Sequence, residues 1–224
     1  MSEAKQAPVN EVVESVENAA RYSDGLVLLK NVRASYPHVL KAAKFKGAGP
    51  DDPGSYSIKV LLSKTTHDEA RKLLQRVITR ILKESNKGEP IGRDRRFLQD
   101  GDPGEGDIGN PEEKGCWVVS ARESKRPIVI DNRRDPKTGK PRRLDPNDER
   151  DLERIYGGCY VNVMIRPWFQ NNAYGKRVNA GLSVVQFVRD GEPFGTGRIS
   201  DDTVDKRFDV EDEGEVDDSD YDDL

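Results

Sequence analysis

Residues 158–189 read GCYVNVMIRPWF, QNNAYGK, RVNAGLSVVQFVR: two alternating runs on either side of a turn. In the first run Val161, Val163 and Ile165 fall on one face, and Tyr160, Asn162, Met164, Arg166 and Trp168 on the other. Successive side chains of a strand point to opposite faces, so this pattern predicts a half-buried strand over Gly158–Phe169. The second run divides the same way. Val178, Ala180, Leu182, Val184 and Val188 share one side, with Arg177, Asn179, Ser183, Val185, Phe187 and Arg189 opposite. Gln170 to Gly175 supplies the turn. A hairpin paired in register would fill a core with one face and show aromatic, amide and guanidinium groups on the other.

Working outward, LVLLKNVR after Gly25 is β-prone. Tyr56, Ile58, Val60 and Leu62 alternate with more polar neighbours, and CWVVSARE and RPIVID add two further strands. Between them the period changes. Ala70, Leu73, Leu74, Val77, Ile78, Ile81 and Leu82 recur at i, i+3, i+4 and i+7, which predicts one amphipathic helix. Thr65 or Thr66 can cap it, Asp68 and Glu69 suit its first turn, and Gly88 and Pro90 end it. Residues 86–115, rich in Gly, Pro, Asp and Glu, read as a long irregular loop, and Asp145–Tyr156 as a short helix. Strands that do not alternate with helices suit a small Greek-key barrel better than a βαβ sheet. The expected fold is mainly β with one inserted amphipathic helix, an OB-fold-like Greek-key barrel over residues 25–199. It is flanked by a flexible N-terminal arm, 1–24, and a disordered acidic C-terminal tail, 200–224.

The net charge of −4 conceals a division. From Asp201 to Leu224 there are 13 acidic and two basic residues, a net −11, whereas residues 25–200 carry 33 basic against 23 acidic, a net +10. The body is a cation and the tail an anion, which points to a polyanionic partner for the body. Cys116 and Cys159 form no CxxC pair, which suits a reduced, intracellular protein. No apolar stretch approaches a membrane span, and the start lacks the basic flank and apolar run of a signal peptide, so a cytoplasmic protein without membrane partners is expected.

Catalytic signatures are weak. His38 and His67 have no cysteine or carboxylate at ligand spacing, and no Walker loop, GxSxG or HExxH is present, so neither metal nor cofactor is expected. Gly104-Glu105-Gly106-Asp107-Ile108-Gly109 matches GxGxxG, but no strand precedes it, no helix follows it, and its two acids would repel a pyrophosphate. Scattered carboxylates leave a metal-dependent nuclease or recombination enzyme as the rival from another class.

Proteins that hold single strands without sequence preference combine a cationic groove with aromatic faces on which bases stack. Tyr160 and Trp168 are the candidate stacking platforms, and Arg166, Arg177, Lys59 and Arg122 are candidate phosphate partners on neighbouring strands. Between Asn132 and Arg143, the cations Arg133, Arg134, Lys137, Lys140, Arg142 and Arg143 are broken by Pro136, Gly139 and Pro141, which suits a loop laid along phosphates. Arg93, Arg95 and Arg96 beside Phe97 repeat the pattern on a smaller scale. The tail, with Asp217, Asp218, Asp220, Asp222 and Asp223, is a tethered polyanion that would compete with DNA at high effective concentration. A binder that also takes duplex DNA is the alternative within the same class.

At this point the chain resembles the phage T7-type single-stranded DNA-binding proteins, in a divergent tailed-phage branch. The resemblance is carried by Leu28, Lys30-Asn31-Val32-Arg33, Ala34-Ser35-Tyr36-Pro37, the inserted helix, Gly157-Gly158-Cys159-Tyr160-Val161-Asn162, Ala180-Gly181-Leu182-Ser183-Val184-Val185-Gln186 and the acidic end. It implies an OB-fold that binds single-stranded DNA, without catalysis, during phage replication and recombination in the infected host. It also implies a tail that contacts polymerase and helicase-primase, and a homodimer involving that tail. Here the tail ends Asp220-Tyr221-Asp222-Asp223-Leu224, where the T7-type tail closes on an aromatic.

Overall fold

The computed structural model describes residues 11–44 and 47–195. Ten strands form one sheet: β1 (Val12–Val16), β2 (Ala19–Tyr22), β3 (Val27–Ala43), β4 (Ser55–Ser63), β5 (Leu98–Asp100), β6 (Cys116–Glu123), β7 (Ile128–Arg134), β8 (Pro141–Arg143), β9 (Tyr160–Asn172) and β10 (Gly175–Arg189). Helix α1 (Asp68–Ser85) is inserted after β4, and a short α2 (Glu149–Leu152) precedes β9. The sheet order is β5-β6-β4-β3-β9-β10-β7-β8, with β2 added to β3 and β1 to β2. Every pair is antiparallel except β7 beside β10. This is the mainly β body with one inserted helix that the periodicity predicts, in an OB-like arrangement.

Strand β3 organises it. One of its edges carries β9, while the other carries β2 at Val27–Leu29 and then β4 from Arg33 onward. Asn31 and Tyr36 both lie in the left-handed region (φ 53° and 46°), where the strand's pairing register shifts. Bulges of this kind bend a strand and let it serve two partners. At the far side, the backbone of Phe97 joins β10 to β6: its N–H donates to Val178 O (2.9 Å), and its carbonyl accepts from Ser120 N (2.9 Å). Val27, Leu29, Val32, Val60, Leu62, Val119, Val161, Val163 and Ile165 fill the interior. Helix α1 lays Ala70, Leu73, Leu74, Val77, Ile78 and Leu82 on that core, as its stripe predicts. Its N-cap is His67, however, and neither threonine caps it; Leu82 O is satisfied by Asn86 and Gly88 at its end.

Three local expectations change. Within the stretch read as a flexible arm, the described residues include β1 and β2, because Asn18 at φ 60° makes a tight turn that pairs the two strands and buries Ala19 and Ala20. The 86–115 segment is not wholly irregular: it holds 3-10 turns at Arg93–Arg95 and Pro111–Glu113, and β5 paired with β6. Finally, β10 carries a bulge between Leu182 and Val184. One extra residue inverts the alternation beyond it. Val185 and Phe187 are therefore buried, contrary to the outward face read for them, and Val184 leaves the buried face to oppose Met164.

Candidate nucleic-acid interface

The inserted position of α1 leaves one outer face of the sheet open, and a cleft of about 1040 Å³ crosses it. Its floor is a set of cross-strand rungs. His38, Ser57 and Arg122 lie across β3, β4 and β6, with Lys59 and Ser120 on the next rung, whose β3 member, Ser35, is buried. Past the Phe97 seam the floor continues as Trp168 opposite Asn179 and Gln170 opposite Arg177 on β9 and β10. Ile58, Ala121, Val178 and Ala180, the residues between these, point inward and are buried. Strand alternation thus builds the surface: what does not enter the core lines the cleft.

Two aromatic rings stand free in it. Trp168 is 47% exposed and Tyr36 55% exposed. The left-handed backbone at Tyr36 is costly for a bulky residue, and such strain gathers at functional positions. Lys59 Nζ lies 5.8 Å from the centre of the Tyr36 ring and pairs with Glu113 at 2.6 Å. Arg122 Nε donates to Ser55 Oγ (2.6 Å), and Arg177 reaches Asp94 O (3.3 Å). Arg96, also in the lining, donates to Ile91 O (2.7 Å), while its buried Nε has no hydrogen-bond partner among the described residues.

Of the residues expected to act together, Lys59, Arg122, Trp168 and Arg177 share this cleft. Tyr160 and Arg166 do not line it. Tyr160 sits at the opposite end of β9, with Arg189 stacked 3.3 Å and Arg33 5.7 Å from its ring centre. Arg33 also lies 4.2 Å from the Phe194 ring and donates to the carbonyls of Gly158 and Glu192. A side chain at Gly158 (φ 109°) would collide with the Glu192 carbonyl, so glycine there lets the two segments meet. Arg166 is held by the turn before β3, through Asp24 O (2.6 Å) and the Asp24 carboxylate (3.6 Å).

The basic segment is a hairpin, not a loose loop: Ile130 pairs with Arg143, and Arg134 with Pro141. Because β7 runs parallel to β10 from Val184 onward, the hairpin projects past Arg189, at the end remote from the cleft. At about 3.3 Å per residue, Arg134 lies roughly 35 Å along the strand from Asn179, and the tip lies farther out. Arg142 is not available to a ligand, since it bonds the buried Asp151 (2.6 Å) and faces the buried Asp131 (3.6 Å). Arg154 also pairs with Asp131 and stacks 3.7 Å from the Phe187 ring. Arg133, Arg134, Lys137, Lys140 and Arg143 remain on the hairpin surface. The tail positions Asp217, Asp218, Asp220, Tyr221, Asp222, Asp223 and Leu224 lie outside the described residues.

The sequence reading did not single out Tyr36, Gln170 or Asn179 as site residues. Arg96 beside Phe97 was visible as a small basic–aromatic cluster, but Tyr36 depends on a backbone conformation that its neighbours do not announce. Burial pushes the Cys159 thiol up to about 11 and raises that of Cys116, so neither is an activated nucleophile at neutral pH. Among the described residues, no three His, Cys, Asp or Glu side chains group as a metal site, and no helix is long and apolar enough to cross a membrane.

A family model described as Enterobacter phage Enc34, ssDNA-binding protein, matches residues 26–217. The solved single-stranded DNA-binding protein of bacteriophage Enc34 is 36% identical, with a TM-score of 0.68 over 85% of this chain and 96% of that one. The same phage protein in complex with ssDNA gives 37% identity and a TM-score of 0.69, covering 84% and 100% of the respective chains. Putative protein p50 of Acyrthosiphon pisum secondary endosymbiont phage 1 is 29% identical over 184 residues, 78% of this chain and 89% of that protein.

Proposed function

The chain belongs to the Enc34-type family of phage single-stranded DNA-binding proteins, a family of binders rather than enzymes, and on that premise we propose that its cleft holds an unpaired DNA strand. The observation that carries this reading is the meeting of two exposed rings, Trp168 and Tyr36, with Lys59, Arg96, Arg122 and Arg177 in one cleft. Bases stack on the rings, which accept any base because every base has a π-face, and the cations neutralise the backbone. Lys59 exchanges Glu113 for a phosphate as the strand enters. The hairpin cations Arg133, Arg134, Lys137, Lys140 and Arg143 engage phosphates beyond the cleft. The acidic tail competes with DNA for the body's cations and recruits replication proteins, and the protein works in the cytoplasm of the infected bacterium.

The test is a salt titration of single-stranded and duplex DNA binding, with the full chain and with a chain ending at Ser200. Lys59, Arg96, Arg122 and Arg177 together give an expected slope of log K against log [salt] of about −3 on a single strand, steeper if Lys44, also in the lining, or the hairpin contributes. Truncation should tighten binding at low salt and matter less as salt screens the tail. Equal affinity of the two chains at every salt concentration would end the tail's competing role, and equal affinity for strand and duplex would end the stacking mechanism. Labelled DNA incubated with Mg²⁺ or Mn²⁺ should remain uncut.

Tyr160 supplies a control. Tyr160→Ala removes a ring stacked by two guanidiniums, worth about 1–2 kcal/mol, and should lower the thermal midpoint by roughly 2–8 °C. Single-strand affinity should stay within about twofold, well below the loss of about 1–3 kcal/mol expected for a ring on which a base stacks. A loss of binding as large as that of Trp168→Ala would return Tyr160 to the interface.

A further inference from the structure

The β9–β10 hairpin runs on past the cleft. Beyond the last rung in the lining, Gln170 opposite Arg177, it continues as Asn171 opposite Lys176 and Asn172 opposite Gly175. Ala173 and Tyr174 close it, and Gly175, in the left-handed region at φ 94°, lets the chain reverse. Asn172 Oδ1 accepts from the Tyr174 N–H (3.0 Å) and from Gln170 Nε2 (3.0 Å), so the tip is tied to the stem. Tyr174 is thus fixed at its backbone, yet it is 85% exposed. Among the described residues nothing bonds its hydroxyl and no cation lies over its ring. One exposed ring is ordinary on a protein surface; its neighbours give this one a role. The 3-10 turn Arg93–Arg95 flanks it. Arg95 reaches Tyr174 O (3.4 Å), and its guanidinium lies 2.8 Å from where a side chain at Gly175 would begin, so it lies against the turn. Arg177 donates to Asp94 O (3.3 Å), which fastens the 3-10 turn to β10. The Arg93 guanidinium is exposed, with no hydrogen bond or ion pair among the described residues. Two acids stand nearby: Asp94, 4.0 Å from Arg95, and Glu89, which pairs with Lys176 (3.0 Å). Arg93, Arg95 and Lys176 outnumber them, and Arg96 and Arg177 of the cleft adjoin the group.

We infer that Tyr174, with Arg93 and Arg95 beside it, is a further stacking station for the DNA strand, continuing the cleft over the tip of the β9–β10 hairpin. This rests on the reading that the cleft holds an unpaired strand. Four residues at about 3.3 Å carry β9 roughly 13 Å from Trp168 to Asn172, and Tyr174 lies at the turn just beyond. A strand that leaves Trp168 along the Gln170 and Arg177 rung therefore arrives at the ring and the two arginines. The combination repeats that of the cleft: an aromatic face for a base, with guanidiniums beside it for the phosphates on either side. It also gives a role to the basic–aromatic cluster at residues 93–97, of which only Arg96 and Phe97 line the cleft itself.

The experiment titrates the full chain and its Tyr174→Ala, Tyr174→Phe and Trp168→Ala variants with poly(dT). Tyr174→Ala should lower affinity about 5-fold or more, the low end of what a stacking ring supplies, and should reduce the number of nucleotides covered per protein at saturation. Its thermal midpoint should not move, because the side chain stands in solvent. Tyr174→Phe, which keeps the ring, should bind like the unaltered chain. Arg95→Ala should flatten the salt slope by about 0.7. With the unaltered protein, ultraviolet crosslinking to an oligomer carrying 5-iodo-dU should label the peptide that contains Tyr174. Unchanged affinity and footprint in Tyr174→Ala, while Trp168→Ala weakens binding, overturn the station and leave the cleft reading standing. A silent Trp168→Ala is instead the failure of the cleft reading, and the station falls with it.

Discussion

Trp168→Ala should weaken single-strand binding by about 1–3 kcal/mol, roughly 5- to 150-fold, the range measured for loss of one base-stacking ring. Replacing Tyr36 as well should multiply the loss by a similar factor, because the two rings stand on different strands, β9 and β3, and would seat different bases. Neither substitution removes a cation, so the slope of affinity against salt should not change, whereas Arg177→Ala should flatten it by about 0.7. Nor should folding suffer, since both rings are about half exposed. Tyr36 sharpens the test. Its left-handed backbone favours glycine, so Tyr36→Gly should hold or raise the thermal midpoint while lowering affinity. Fluorescence titration and thermal unfolding of the same samples decide it. Unchanged affinity in the double variant would place the interface elsewhere.

Arg142→Met is expected to destabilise the fold by about 3–5 kcal/mol, the cost of leaving buried charge without its partner. Asp151 accepts from Arg142 and from the backbone N–H of Asp145, and Asp131 faces both Arg142 and Arg154. Both carboxylates are buried, at 4% exposure, so deleting Arg142 strands negative charge where water cannot reach. For a body of this size that corresponds to a fall in midpoint of roughly 6–20 °C. Arg133→Ala, on the open side of the same hairpin, should change stability by less than about 0.5 kcal/mol. Parallel melts of the two variants separate a staple from a surface charge. Equal, small effects would show that β8 and α2 are held by something other than this ion pair network.

The two arginines illustrate where sequence reading reaches and where it stops. Composition could say that six cations crowd residues 133–143, but only the fold brings Asp151 from α2 under one of them. Likewise, the parallel pairing of β7 with β10, which sends the hairpin away from the cleft, joins segments with no local signal of that pairing. The long alternating run of β9 was legible because strand period alone decides it, and Trp168 faces out as expected. The same rule failed on β10, where one bulged residue reversed Val185 and Phe187. Helix α1 was legible to within a residue or two because eighteen residues of stripe outweigh uncertain ends. The β1–β2 turn could have been found: Asn18 is a residue that tolerates the left-handed region, between two short apolar groups. Arg122, Lys59 and Arg177 were found as cations on strands, but that they share a cleft with Tyr36 depends on the bend of β3.

The Phe97 seam has a consequence for how the body is assembled. Its two hydrogen bonds connect partners distant in the chain, Val178 and Ser120, so the entropy of closing that circuit is met only after both flanking pairs of strands exist. The seam is therefore the step that should complete last on folding and open first under load. Arg96 and Phe97 lie in the cleft lining between the β4–β6 rungs and the β9–β10 rungs, so a strand laid across it would cross this join like a brace. By mass action such a ligand raises the apparent stability of the protein with its own concentration, and the amides of Phe97 and Ser120 should show the largest slowing of hydrogen exchange when DNA is added.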